Sequence, residues 1–415
     1  MKLAPGTPLL IGLRTDDAKA DMPIGRLAMA ERLAQLEWSP EVLTRSLRIS
    51  PYLYPPEPGL IAARGALFEG LHGFLADSLP EGWGALLLQR RLRKAGIRSE
   101  ELSATDRLAL VGTQGRGALV FAPATTPEDA IESLDMDELA HEAHQVLLGE
   151  EGLLAGTLAR LGGASGGARP KIHVGFDSAG QICVGEGETA PGYQAWIVKF
   201  AALNDPVDIG PVEFAYASMA RSAGIVMADA RLIPSQKGHA YFATRRFDRP
   251  APGMRLHMVS LAGAIEAPSN MPSASYDTLL RATRAITRHD ADVEQTFRRM
   301  VFNVLAHNRD DHTRQHSFLM DETGDWRLAP AYDLTYSNGP GGEHYLDIDG
   351  EGRNPTGAQV RTLGRMHGLY AARIDLIIEQ VADTVARWPD FAADAQVGVS
   401  LAPIAERIAA VRVAF

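Results

Sequence analysis

The sequence predicts an α+β fold with two lobes, a mixed α/β amino-terminal lobe and a mainly helical carboxyl lobe. Short strand-like runs and glycine-rich turns prevail up to about residue 250. Helical spacing of apolar residues prevails beyond that point, over residues 276–286, 293–307, 364–387 and 401–415. One short predicted hairpin interrupts these helices, and acidic, amide and imidazole side chains are concentrated beside it.

Composition limits the class of protein. The 415 residues are 46% hydrophobic and 22% charged, which is typical of a globular protein with two or three domains. Apolar runs are too short to span a membrane, and the chain does not start with a signal-peptide pattern, so we expect a cytoplasmic protein without a membrane partner. A net charge of −10 argues against nucleic acid as the main ligand, and the single Cys183 excludes a Cys-based zinc site.

The first predicted domain, residues 1–122, mixes strands with helices. Apolar residues follow helical spacing over residues 27–36, and a second helix is expected over residues 85–96. Asp77 or Ser78 would serve either as a helix cap or as part of a loop that contacts a substrate.

A linker is expected next, because residues 123–135 are rich in proline, threonine and acidic residues. An amphipathic helix over residues 136–148 then opens the second predicted domain, residues 136–250. The third part, residues 251–415, is the helical carboxyl lobe.

A glycine-dense loop is the first functional signal in the second domain. The sequence LGGASGGARPK, residues 161–171, runs into a strand at residues 172–176. Small residues let main-chain N–H groups approach a bulky anion, as a phosphate-covering loop requires. A surface loop without a ligand is an equally good interpretation of these residues alone.

Lys199 is the second signal, because it interrupts the apolar strand of residues 194–200. An unpaired buried lysine is costly, so Lys199 must be exposed or have a counter-charge. Glu213 opens the next predicted helix and could supply that charge. A glycine loop, a strand lysine and a helix glutamate, in this order, are typical of the phosphate-binding part of a protein-kinase amino lobe.

The predicted hairpin lies in the helical lobe. Residues 316–320 and 326–328 are short apolar arms, and the sequence Asp-Glu-Thr-Gly at residues 321–324 is typical of a tight turn. The segment before the first arm should therefore lie beside the segment after the second.

This geometry brings Asp310, Asp311 and Gln315 to the same end of the hairpin as Asp333. Converging oxygen ligands suit a divalent cation such as Mg²⁺. The spacing Asp310-x4-Gln315 matches the kinase pattern D-x4-N with Gln in place of Asn, and Asp333 stands where a second metal-binding Asp would come.

Two other interpretations of this stretch remain open. His307, His312 and His316, together with the adjacent acids, could be ligands of a transition-metal hydrolase site. The same polar residues could also be purely structural, since Asp and His are common in turns.

Several motifs together resemble the HipA family of serine/threonine kinases, the toxins of HipBA-type toxin–antitoxin pairs. The motifs are GGASGGARPK, WIVKF, ATRRFDR, NRDDHTRQHSFL and PAYDL. LADSLPEGWG and LALVGTQGRGAL resemble that family's amino-terminal region, so the similarity covers about residues 10–340. The resemblance implies a two-lobed protein-kinase-like fold.

The resemblance also implies a function. ATP and Mg²⁺ would be used to phosphorylate a protein hydroxyl, which in known members belongs to an aminoacyl-tRNA synthetase, and this would slow translation and growth. A small HipB-like helix-turn-helix antitoxin would be the partner, so that contact with DNA would be indirect.

Roles of individual residues follow from the same resemblance. Asp310 would be the catalytic base, with Lys199 and Glu213 completing the catalytic set, and Gln315 and Asp333 would be the Mg²⁺ ligands. The expected nucleotide-binding residues, including Lys199 again, are Gly163, Ser165, Gly166, Gly167, Lys171, Arg245, Phe247 and His312.

Two positions depart from the family pattern. The family usually has Asn where this chain has Gln315, and Ala164 stands where the family has the loop serine that it autophosphorylates. An attenuated, kinase-shaped binding module is therefore the alternative to an active enzyme.

Overall fold

The computed structural model describes residues 2–4, 7–125, 135–150, 155–162, 166–184 and 192–415. Its first part consists of β1 (Leu9–Leu13), β2 (Met22–Ala30), β3 (Leu33–Trp38), α1 (Pro40–Arg45), β4 (Leu60–Ala62), α2 (Gly73–Ala76), α3 (Trp83–Lys94), α4 (Ala104–Val111) and β5 (Leu119–Ala122). The five strands form one sheet in the order β4-β3-β2-β1-β5.

The middle part carries a second five-stranded sheet, in the order β7-β6-β8-β10-β9. Its elements are α5 (Met136–Leu148), α6 (Ala155–Gly162), β6 (Lys171–Phe176), β7 (Ile182–Val184), β8 (Gln194–Lys199), α7 (Ile209–Ser222), β9 (Ala230–Ile233) and β10 (Tyr241–Arg245).

The last part is mainly helical and carries only short strands. Its elements are β11 (His257–Ser260), α8 (Leu261–Ile265), β12 (Ala274–Ser275), α9 (Tyr276–Thr287), α10 (Asp290–Leu305), β13 (Ser317–Met320), β14 (Trp326–Leu328), β15 (Leu346–Asp347), α11 (Gly357–Met366), α12 (Ala371–Ala386), α13 (Trp388–Asp394) and α14 (Leu401–Arg412). The predicted α+β fold with a helical carboxyl lobe is thus confirmed. Within the described residues, no helix combines the length and apolar character needed to cross a membrane.

Two predicted elements have the expected form. Helix α5 spans Met136–Leu148, and Leu139, Ala143 and Val146 form its buried side. β13 and β14 pair as the predicted antiparallel hairpin. The predicted linker at residues 123–135 lies largely outside the described residues.

One predicted helix is wrong, and another is helical but divided in two. Residues 27–36 belong to the β2–β3 pair, in which Leu27 lies opposite Leu36, because the apolar residues alternate with period two within each strand. Residues 364–387 contain parts of α11 and α12, separated at Gly368, whose φ of +79° is incompatible with a continuous helix.

The starts of two helices also differ from the predictions. Glu213 lies inside α7, which begins at Ile209 rather than at the glutamate. Asp77 does not cap α3, whose first turn follows Gly82 without a side-chain cap. Instead, the Asp77 carboxylate accepts hydrogen bonds from the main-chain N–H and the hydroxyl of Ser260, at 2.6 and 2.8 Å.

The first domain packs directly on the helical lobe. One apolar core contains Leu9 and Phe74 of the first part together with Phe297 and Ile377 of the last. Helices α2 and α8 meet through glycines, since a Cβ at Gly73 would lie 2.6 Å from the Gly263 carbonyl oxygen. The amino-terminal domain is therefore part of the same packed unit as the helical lobe.

This close approach generates a stability prediction. A methyl group at position 263 would collide with the buried Asp77 carboxylate, so Gly263→Ala should lower the free energy of unfolding by about 1–3 kcal/mol. Gly65→Ala is the matched control, because no atom lies within 4 Å of a Cβ there, and it should change stability by less than about 0.5 kcal/mol. Urea unfolding measures both; equal loss in the two variants would contradict the packing described for α2 and α8.

Candidate active site

Lys199 is buried and carries two ion pairs. Its Nζ lies 2.7 Å from Oε2 of Glu213 on α7 and also pairs with Oδ1 of Asp333, which follows the β13–β14 hairpin. The expectation that a lysine in this strand needs a counter-charge is confirmed. Because β8, α7 and the segment after β14 each supply one partner, this cluster joins the second sheet to the helical lobe.

Lys171 lies directly opposite Lys199 in the β6–β8 pairing, so both side chains are on the same face of the sheet. Its Nζ donates to the Gly166 carbonyl oxygen at 2.6 Å. Burial lowers the pKa of Lys171 to about 8, although Asp333 favours the charged form. A second cation therefore stands beside Lys199, at the end of the glycine loop.

Arg169 is a member of this cluster that the sequence did not identify. Its guanidinium binds both carboxylate oxygens of Asp205, at 2.9 and 3.1 Å, and Oε1 of Glu213, at 2.6 Å. Burial opposes its charge, but Glu213, Asp205 and Asp333 outweigh that effect and raise the pKa of Arg169. Its place two residues before Lys171 is the one hint that the sequence offers, and its partners are distant in the chain.

The end of the glycine loop is held by the amino-terminal domain. The Gly167 carbonyl oxygen accepts from the Trp83 main-chain N–H at 2.9 Å, and the Trp83 indole donates to the Lys171 carbonyl oxygen at 3.0 Å. A Cβ at Gly82 would collide with the Gly167 carbonyl group. The start of α3, with Gly82 before it, thus holds the end of the loop at Gly167. Gly163 and Ser165, which were predicted to bind the nucleotide, lie outside the described residues.

Three predicted site residues converge at the end of the hairpin. The Gln315 Nε2 lies 3.2 Å from Oδ2 of Asp333 and 3.5 Å from Oδ2 of Asp310. The loop between α10 and β13 (residues 306–316) carries Asp310 and Gln315, and a short 3₁₀ turn at Thr313–Gln315 brings the amide back toward the carboxylates. The sequence-based geometry of these three residues is therefore present.

The pKa values of the two carboxylates of this site are shifted in opposite directions. Partial burial raises the pKa of Asp310, and the neighbouring Asp333 raises it further. Burial also disfavours the Asp333 carboxylate, but Lys199, Lys171 and Arg169 outweigh that effect and hold its pKa well below the usual range. Such a separation is typical of a pair in which one group exchanges protons and the other stays ionised.

Asp311 was expected at the same end of the hairpin, and this is wrong. Its buried carboxylate accepts from the Tyr276 hydroxyl and pairs with His344 Nδ1, both at 2.8 Å, and it also accepts from the Tyr345 main-chain N–H. Adjacent residues in an extended segment face opposite ways, so Asp310 can face the site only while Asp311 faces the core. Asp311 anchors the 306–316 loop.

The three histidines do not form a metal centre. His307 stacks on Tyr336, whereas His316 is buried beside Tyr276, and burial lowers the pKa of His316 to about 3. His312 is near the site, with its Nε2 3.9 Å from Oδ1 of Asp310. Among the described residues, no three His, Cys, Asp or Glu side chains are grouped to hold a metal ion. The hydrolase interpretation therefore lacks its ligand set.

Arg245 and Phe247, two of the expected nucleotide-binding residues, lie in different places. Phe247 is half-buried and packs against Tyr332, with the ring centres 5.4 Å apart, next to Asp333. Arg245 is a correction, because its side chain is directed away from the lysine cluster. It lies opposite Trp196, on the sheet face away from Lys199, and donates to the Pro250 carbonyl oxygen at 2.7 Å.

The donor set fits Mg²⁺, which prefers carboxylate and amide oxygens and usually keeps water and phosphate as further ligands. The Gln315 amide already lies 3.2 Å from Oδ2 of Asp333, so these two side chains could hold a cation between them. Rotation of the Gln315 side-chain amide by about 180° would present its oxygen to the cation in place of its nitrogen. Lys171, Lys199 and Arg169 supply the positive charge that a polyphosphate requires.

Family comparisons match most of the chain. Residues 163–388 match the family described as HipA-like C-terminal domain, and residues 18–122 match the HipA N-terminal domain. A curated relative, the putative kinase Y4dM of Sinorhizobium fredii (strain NBRC 101917 / NGR234), is 28% identical over 155 residues. That match spans 34% of this chain and 37% of the relative, so the chain covers little more than a third of its length.

Solved structures also resemble the chain. The complex of HipA, HipB and operator DNA from Shewanella oneidensis MR-1 contains a chain with a TM-score of 0.70 and 18% sequence identity, covering 98% of this chain and 96% of that one. This likeness shows a common fold. The proinflammatory kinase CtkA of Helicobacter pylori aligns with a TM-score of 0.35 and 14% identity over 54% of this chain and 87% of its own.

Proposed function

The chain belongs to the HipA family, and from that premise we propose that it is an ATP- and Mg²⁺-dependent serine/threonine protein kinase. The observation that carries the proposal is the convergence of Asp310, Gln315 and Asp333 beside the Lys199–Glu213 pair. These groups are the ones that transfer of a phosphoryl group to a hydroxyl requires.

Asp310 is the proposed catalytic base. Its side chain is 42% exposed, so an acceptor hydroxyl can reach it, and its raised pKa makes it a better proton acceptor than an ordinary carboxylate. The proton of the serine or threonine hydroxyl passes to Asp310 as the hydroxyl oxygen attacks the γ-phosphate. His312, which lies beside Asp310, helps to keep that carboxylate ionised.

The cations position the nucleotide phosphates. Lys199 pairs with Asp333, and Lys171 lies beside Lys199 and donates to the Gly166 carbonyl oxygen. The charges of Lys199, Lys171 and Arg169 all act on Asp333. Gln315 and Asp333 would hold Mg²⁺, which neutralises charge on the phosphate oxygens when bound. Phe247, against Tyr332, offers an apolar surface for the adenine ring.

The proposed biological setting follows from the relatives. The Shewanella structure contains HipA with HipB and operator DNA, which supports a small HipB-like helix-turn-helix antitoxin as the partner of this chain. DNA would then be contacted through the antitoxin. The proposed acceptor is a hydroxyl of a cytoplasmic protein, an aminoacyl-tRNA synthetase by analogy, whose phosphorylation would slow translation and arrest growth as a toxin does.

The first test separates chemistry from binding. Asp310→Asn should abolish labelling of protein by γ-labelled ATP in a cell lysate, because the base is lost, yet leave Mg-ATP binding within about threefold of the parent, because no phosphate is held by Asp310. Asp325→Asn makes the same charge change at the exposed hairpin turn and should leave protein labelling and Mg-ATP binding unchanged. Undiminished labelling by Asp310→Asn would remove Asp310 as the base.

Gln315 decides between an active enzyme and the attenuated binding module. The extra methylene moves the amide oxygen, and errors of ~1 Å can cost ~100-fold in rate, but Gln315 already reaches both carboxylates. We therefore expect Gln315→Ala to lose most activity and Gln315→Asn to bring no large gain. Phosphorylation rates at equal stability measure this. A much faster Gln315→Asn variant would favour the binding module.

A further inference from the structure

A cavity of about 150 Å³ is lined in part by His307 and Arg309 of the 306–316 loop and by none of the residues of the lysine cluster. Its polar lining consists of three guanidinium groups, two imidazoles and one amide, from Arg309, Arg353, Arg407, His307, His344 and Asn354. The other lining residues are apolar, and none of the described side chains that line the cavity is acidic. In a chain with a net charge of −10, this is a local concentration of positive charge.

Arg309 is the inner cation of the cavity. Its guanidinium donates to two main-chain carbonyl oxygens, those of Gly342 and Arg353, and its buried Nε has no hydrogen-bond partner in the described part of the chain. Burial lowers the pKa of Arg309, and Arg407 and Arg353 lower it further against the effect of Asp311. No described carboxylate forms an ion pair with Arg309.

Arg407 is the outer cation, on the exposed side of α14. Arg361, Arg373 and Arg412 in the same lobe each pair with a carboxylate, whereas Arg407 forms no ion pair with any described residue. Arg353 pairs with Glu343 at 2.9 Å on the surface. Most of the charge around the cavity is therefore not neutralised by the protein.

The positive charges also act on His307, one of the two histidines that line the cavity. His307 is 4% exposed, and its Nδ1 has no hydrogen-bond partner among the described residues. Burial and the charges of Arg309 and Arg407 lower the pKa of His307 to about 4. His307 therefore adds a buried nitrogen without a described partner to the lining of a cavity that already contains three arginines.

We propose that this cavity is a second anion site and that it binds a dianion of the phosphate type. Guanidinium groups that approach from three different elements match a tetrahedral ion better than a planar carboxylate. The volume is many times the ~10–15 Å³ that a single water requires, so a phosphate group has room. The site is separate from the proposed nucleotide site and does not depend on the proposed kinase activity.

The position of the cavity couples it to the 306–316 loop. Arg309 directly precedes Asp310, and His344 is bonded to Asp311 at 2.8 Å. An anion in the cavity would contact both residues and would hold the loop on which Asp310 and Gln315 lie. The same chemistry has two sources, a free phosphate anion or the phosphorylated side chain of a protein.

The test uses inorganic phosphate as the probe and the full chain as the protein. Calorimetric titration should find a phosphate site whose affinity falls at least about tenfold in Arg407→Ala. The affinity should fall less in Arg407→Lys, which keeps the positive charge but loses the planar guanidinium and its paired N–H donors. Arg412→Ala is the matched control, because it removes one arginine from the same helix outside the cavity. Its phosphate affinity should equal that of the parent.

The phosphate affinities of the three proteins decide whether the proposal holds. Equal phosphate affinity in the parent, Arg407→Ala and Arg412→Ala would overturn the proposal, because the phosphate would then be at the lysine cluster or on the surface. Unchanged unfolding midpoints in phosphate-free buffer show that Arg407→Ala is folded. This result is independent of the Asp310→Asn test, so one proposal can fail while the other holds.

A second arm identifies the source of the phosphate group. A short phosphoseryl peptide and its unphosphorylated twin are titrated into the parent and into Arg407→Ala. Binding of the phosphopeptide alone, lost in Arg407→Ala, supports the site and assigns it to a phosphorylated side chain. Binding of inorganic phosphate without the phosphopeptide supports the site and assigns it to a free anion.

Discussion

The buried Lys199 is the constraint on which the rest of the site depends. An ammonium group in an apolar strand is stable only with counter-charges, and the protein supplies Glu213 from α7 and Asp333 from the segment after the hairpin. Arg169 shares Glu213 and brings in Asp205, so cations and carboxylates alternate through the junction of the two lobes. Electrostatic balance at this point therefore fixes the sheet, the helix and the hairpin relative to one another.

The amino-terminal domain contributes to the same junction. Trp83, the first residue of α3, holds Gly167 of the glycine loop, and Glu81, two residues earlier, pairs with Arg314 at 3.0 Å. Arg314 lies on the loop that carries Asp310 and Gln315. Residues 81–83 thus contact both the end of the glycine loop and the 306–316 loop.

Local signals made part of this arrangement predictable. The lysine within an apolar strand and the tight turn between two apolar arms are visible in the sequence, and both led to the correct geometry for Lys199 and for the hairpin. Arg169 could not be recognised in advance, because its partners lie 36 and 44 residues away. The helix expected over residues 27–36 failed because Leu33 and Leu36 match helical spacing, whereas the buried positions of β3 alternate as Ala34, Leu36 and Trp38. Leu27 of β2 lies opposite Leu36 in the strand pair.

We propose that the Lys199 cluster binds a polyphosphate and a divalent cation. Calorimetric titration with ATP, with and without Mg²⁺, tests it most directly in the parent and in Asp333→Asn, which leaves Lys199 paired with Glu213. We expect Mg²⁺ to tighten ATP binding by about tenfold or more in the parent and to have little effect in Asp333→Asn. Equal ATP affinities in the parent and in Asp333→Asn, each with and without Mg²⁺, would contradict this proposal.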